Sequence, residues 1–74
     1  MSTLPVFSGR DVVQALLKNG YEKDRQKGSH IVMRQISYPY RRIVVPDHKE
    51  LAKGTLRNII RYAGLTVEEF IKLL

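Results

Sequence analysis

The sequence contains no cysteine, so no disulfide staples the chain and no thiolate is available to hold a metal. It also lacks any apolar run near the roughly 20 residues that a membrane-crossing helix needs. Residues 1–7, MSTLPVF, carry neither a basic stretch nor a long apolar run and do not read as a signal peptide, which makes a cytoplasmic location the expectation. There is no repeat, no low-complexity tract and no linker, and residues 1–74 read as one domain. Acidic side chains are scarce: seven Asp and Glu stand against thirteen Lys and Arg, a net charge of +6. Such an excess suits a polyanion, and equally a solvated surface or an acidic protein partner.

What is present is the composition of a folded protein, with 43% hydrophobic residues. A chain of this length buries only about 60% of its unfolded surface, so the core is thin and each apolar position counts. Ser8 followed by Asp11 has the spacing of a capping box, with Phe7 and Val12 placed as a hydrophobic staple. Val12, Val13, Leu16 and Leu17 then repeat at helical spacing until Gly20, which predicts a helix over 9–19. Residues 21–26 read as an edge strand, charged enough to discourage aggregation. Lys27-Gly28-Ser29 is a turn, and the β-branched run 30–36 is a second strand. Residues 37–40 turn again around Pro39, which cannot donate to a ladder, and 41–45 form a third strand ended by Pro46. A polar loop, 47–52, leads to a helix whose stripe is Leu56, Ile59, Ile60 and Ala63, with Gly64 as its stop. Thr66 with Glu69 caps a short last helix whose apolar face is Val67, Phe70, Ile71 and Leu74. The order α-β-β-β-α-α is α+β: a three-stranded antiparallel sheet with helices on one face and the other face free.

Strand alternation places His30, Val32 and Arg34 on one face and Ile31 and Met33 on the other. The second set is the better core, which leaves His30 and Arg34 on the open side. An imidazole titrates near neutral pH, so one group can take and return a proton. Arg25, Lys27 and Arg34 can stabilise charge on phosphoryl oxygens. Residues alone also allow a plain surface histidine at a turn. Gly28 supplies the positive φ of a tight turn, and the Gly28-Ser29 backbone N–H groups can approach a phosphate. Ser29 has no evident base–carboxylate pair to make it a nucleophile.

His48 follows Pro46-Asp47 and is either a second acid–base group or a solvated side chain. Lys53-Gly54-Thr55 opens the second long helix, where free N–H groups and a cation favour an anion. Arg57 and Arg61 lie off the apolar stripe; they extend a basic face or simply line a polar one. Two histidines with scattered carboxylates, Glu68-Glu69 being the only close acidic pair, do not make a metal-ligand spacing. No metal and no other cofactor is expected.

In these motifs the sequence resembles the HicA (YcfA-like) family of small toxins from toxin–antitoxin pairs. The resemblance runs through Leu4-Pro5 and SGRDVVQALLKNGY (residues 8–21), RQKGSH (25–30), VPDH (45–48) and KGTLRNIIRYAGLTVEEF (53–70). RQKGSH is the most specific of these. Lys53 stands where family members often have proline, and Ile31 where a polar or aromatic residue often follows the GSH histidine. The resemblance implies a double-stranded-RNA-binding-domain-like (dsRBD-like) fold used as an mRNA interferase. It implies that His30 is the histidine of RNA cleavage, and that a HicB-like antitoxin covers the active surface. The expectation is therefore a metal-independent endoribonuclease acting on mRNA. In it His30 is the acid–base group, and Arg25, Lys27, Gly28, Ser29, Arg34 and Lys53 contact RNA. The alternative is a non-catalytic RNA-binding module of the same fold, since A-form RNA is read by shape and phosphate without any histidine.

Overall fold

Ser8 starts the first helix by the reciprocal bonds its spacing predicts. Its hydroxyl accepts the Asp11 N–H at 3.0 Å, and the Asp11 carboxylate accepts the Ser8 N–H at 3.0 Å. The computed structural model describes residues 5–74. The first four residues of the segment judged not to be a signal peptide, and Leu4 of the family-like opening, lie outside the described residues.

From this cap, α1 runs Gly9–Lys18. Three strands follow, β1 (Tyr21–Lys27), β2 (His30–Gln35) and β3 (Arg42–Pro46), in one antiparallel sheet of that order. The chain ends with α2 (Lys53–Tyr62) and α3 (Val67–Lys72), the latter opened by a second capping box between Thr66 and Glu69. This is the expected α+β order. Among the described residues no helix is long and apolar enough to cross a membrane.

One core forms between the helices and a single face of the sheet. Ile31, Met33, Ile43 and Val45 point into it from the strands, Val12, Ala15 and Leu16 from α1, Leu56, Ile59 and Ile60 from α2, and Phe70 from α3. Phe7 closes one edge with its ring 5.5 Å from that of Phe70, edge to face. Three details differ from the sequence reading. Leu17 is exposed and Ala15 takes its place, because the buried stripe of α1 is centred on Val12 and Leu16. Leu51, in the loop read as polar, is buried in the core. α3 turns Ile71 to solvent, Leu74 past its end is exposed as well, and the half-buried Leu73 packs instead.

A β-bulge decides which side chains share a face. Tyr21 and Lys23 pair with Gln35 and Met33, but the register then skips Asp24, and Arg25, Gln26 and Lys27 pair with Val32, Ile31 and His30. Without the extra residue, strict alternation would carry Arg25 and Lys27 to the covered face with Tyr21. One inserted residue flips every side chain after it. Arg25 and Lys27 therefore stand on the open face beside β2.

Candidate functional site

The β1–β2 connection is a two-residue turn, Gly28-Ser29, with Lys27 paired to His30. Gly28 has φ +58° and Ser29 does not have positive φ, the pattern of a type II′ turn, which takes glycine first. The turn is fixed from the other side of the sheet. The Asp47 N–H donates to the Ser29 carbonyl at 2.7 Å, and the Gln26 side-chain amide donates to the Gly28 carbonyl at 3.1 Å. The same amide reaches the Asp47 carboxylate at 3.4 Å, which also receives the Arg10 guanidinium at 3.4 Å. At the start of α1 the Gly9 N–H donates to the His48 carbonyl at 2.9 Å. A Cβ at Gly9 would overlap the Pro46 carbonyl oxygen, so glycine lets helix and strand end approach this closely.

His30 thus opens β2 at a braced corner. It is exposed, with Lys27 beside it on β1 and Pro46 on β3. Along the same face follow Arg25, Val32 and Val44 in one row, then Glu22, Arg34 and Arg42 in the next. Two of these cations are paired: Arg34 donates to the Glu22 carboxylate at 2.9 Å, and Arg42 to the Asp24 carboxylate at 3.2 Å. The hydrogen bond to Glu22 raises the Arg34 pKa above its ordinary value; burial opposes this, and the charges of Asp24 and Glu22 add to it. Arg25 and Lys27 make no ion pair among the described residues, so the uncompensated positive charge lies at the histidine end.

The structure thus brings Arg25, Lys27, Gly28, Ser29, His30 and Arg34 together. The other candidates lie elsewhere. His48 lines a shallow groove with Ser8, Arg10, Asp47 and Lys49 beside the start of α1. Lys53, Arg57 and Arg61 belong to α2, in the helical layer behind the sheet. Lys53 and Gly54 are exposed there, and Ala52 before them offers no side-chain cap to the first N–H groups. Arg57 and Arg61 line a groove against Leu65, Thr66 and Val67. Arg42 was missed by the sequence reading, although the alternation of Ile43 and Val45 places it on the open face. Among the described residues no three His, Asp or Glu side chains gather as a metal site.

Beyond geometry, the sequence model of a family described as HicA toxin of bacterial toxin-antitoxin matches residues 9–65 of the 74. The chain belongs to the HicA toxin family. The match takes in α1, the whole sheet, the braced turn and α2, and ends before α3. No curated protein matches the chain. As a HicA-family toxin it is one half of a toxin–antitoxin pair, and an antitoxin is its partner.

Proposed function

We propose that this HicA-family toxin is a metal-independent endoribonuclease that cuts mRNA with His30 as its acid–base group. The observation that carries the reading is the pairing across the Gly28-Ser29 turn, which sets Lys27 beside His30 and Arg25 one row further on the same exposed face. Neutral imidazole takes the proton of a ribose 2′-hydroxyl, and the 2′-oxygen attacks the adjacent phosphorus. The bond to the 5′-oxygen breaks, and the imidazolium returns its proton to that leaving oxygen. Lys27 and Arg25 stabilise the charge that builds on the phosphoryl oxygens, and the Gly28-Ser29 turn lets the backbone come close to them. Arg34, already joined to Glu22, borders the RNA path without adding free charge, and Lys53, on α2 behind the sheet, stands outside it.

The antitoxin is a HicB-like protein that covers this open face, and toxin and antitoxin act in the cytoplasm. The test is end-group analysis of RNA cut by the purified protein in the presence of EDTA. Cleavage that survives chelation and leaves 2′,3′-cyclic phosphate and 5′-hydroxyl ends agrees with the mechanism. Chelator-sensitive cleavage with 5′-phosphate ends would replace it by metal-assisted attack of water. Binding without cleavage would leave an RNA-binding module.

A further inference from the structure

The far end of the open face carries a feature that phosphate chemistry does not use. In the turn between β2 and β3, Tyr38 is 85% exposed and Tyr40 54% exposed, with ring centroids 6.3 Å apart in a T-shaped arrangement. The turn is held by a hydrogen bond from the Tyr40 N–H to the Ser37 carbonyl at 2.9 Å. Its base is held by the Arg41 N–H donating to the Gln35 side-chain carbonyl at 2.9 Å. Both rings are therefore presented from a fixed loop. The turn follows directly on Gln35, one residue past Arg34, so it lies beyond the far end of the strand that begins with His30. Between the two ends the floor is apolar, with Val44 half exposed beside Val32.

We infer that Tyr38 and Tyr40 form a base-stacking subsite for single-stranded RNA, reached by the strand that His30 cuts. The inference rests on the ribonuclease reading and extends it from the cut phosphate to the flanking bases. Tyrosine faces stack unpaired bases of any identity, as aromatic side chains on other sheet surfaces do. Arg25 and Lys27 at the histidine end of this face, unpaired among the described residues, favour with the chain's charge of +6 a polyanion over an apolar protein surface. From His30 to Arg34 is about 13 Å at the rise of a β-strand, and the tyrosines lie beyond. The subsite therefore takes a base several positions from the cut.

The test measures affinity of the intact protein for uncleavable 2′-O-methyl RNA oligonucleotides, one of 3 and one of about 12 nucleotides, at fixed low salt. Tyr38→Ala with Tyr40→Ala should weaken the long oligonucleotide by about tenfold or more and leave the short one unchanged. Tyr38→Phe with Tyr40→Phe should keep wild-type affinity, since the ring face stacks and the hydroxyl does not. If Tyr40→Ala disturbs the turn by circular dichroism, Tyr38→Ala alone carries the test, because its ring is almost fully in solvent. Equal affinity of the alanine variant for the long RNA overturns the subsite and leaves the His30 reading standing. Unchanged RNA affinity with weakened antitoxin binding also overturns it, and makes the patch a protein-docking surface. If the wild-type protein binds neither oligonucleotide, the subsite is overturned, and if it also fails to cut unmodified RNA the ribonuclease reading goes with it.

Discussion

Ser29 and Asp47 are joined through their backbones at 2.7 Å, and this bond locks the turn before His30 to the exit of β3. The histidine itself contributes nothing to the lock: its side chain is exposed on the opposite face. Position and chemistry are thus separable in this protein, and the separation can be measured.

His30→Ala should change stability by about 0.5 kcal/mol or less, as exposed side chains do. RNA cleavage should fall by about a hundredfold or more, the weight of a general acid–base group. Urea unfolding and a cleavage time course on the same preparation check both halves. A native, folded variant that still cuts at wild-type rate would remove His30 from the chemistry.

Charge on the open face divides into free and paired cations. Lys27→Ala should make RNA affinity less dependent on salt by roughly one phosphate's worth of released counterion. Replacing Arg34 and Glu22 together by glutamine deletes a pair already joined at 2.9 Å and should leave the salt slope nearly unchanged. Titrations at several salt concentrations distinguish the two. An equal loss of slope would show that Arg34 leaves Glu22 to meet a phosphate.

Tyr21 presents a different imbalance. It is buried at the start of β1, yet its hydroxyl has no hydrogen-bond partner among the described residues. Burial raises the phenol's pKa above 10.0; Arg41 opposes the shift and Tyr62 adds to it. The folded state therefore holds this proton more tightly than the unfolded chain does. The resulting stability is present below the unfolded pKa, near 10, and is lost as pH rises from there through the raised folded value. Tyr21→Phe should raise stability at neutral pH by about 1 kcal/mol, since an unsatisfied polar group is removed. It should also flatten the loss of stability at alkaline pH. Denaturant midpoints at neutral and alkaline pH decide this, and a less stable phenylalanine variant at both would mean that the hydroxyl is satisfied.

Much of this architecture was legible because its signals are local. Ser8 with Asp11 and Thr66 with Glu69 fix two helix starts, and Ile31, Met33, Ile43 and Val45 alternate plainly enough to assign the covered face. The bulge at Asp24 was not legible. β1 has one apolar residue, Tyr21, so its side chains give no period against which an insertion would show. The sequence reading reached Arg25 and Lys27 as neighbours of His30 through the turn, as the structure does; the slipped register is what lets Tyr21 on the same strand stay on the covered face. Leu51 escaped for a related reason: a single apolar residue in a charged loop has no periodicity, and only the tertiary fold brings it inward. The placement of Lys53, Arg57 and Arg61 behind the sheet also depended on knowing which way α2 packs.

That packing direction is tested at Leu56, which is buried at 1% exposure in the first turns of α2. Leu56→Ala should cost about 2–5 kcal/mol, through lost transfer energy and the cavity left against the sheet. A domain this small has only about 5 kcal/mol of stability in total, so the variant should be partly unfolded. Its lost toxicity should come with a lower helical circular dichroism signal and weaker binding to the antitoxin. His30→Ala should show the reverse combination of native spectrum, native antitoxin binding and no cleavage. A Leu56→Ala protein with a native spectrum and a defect confined to RNA cutting would mean that α2 meets the substrate, and that the face carrying His30 is not where the RNA lies.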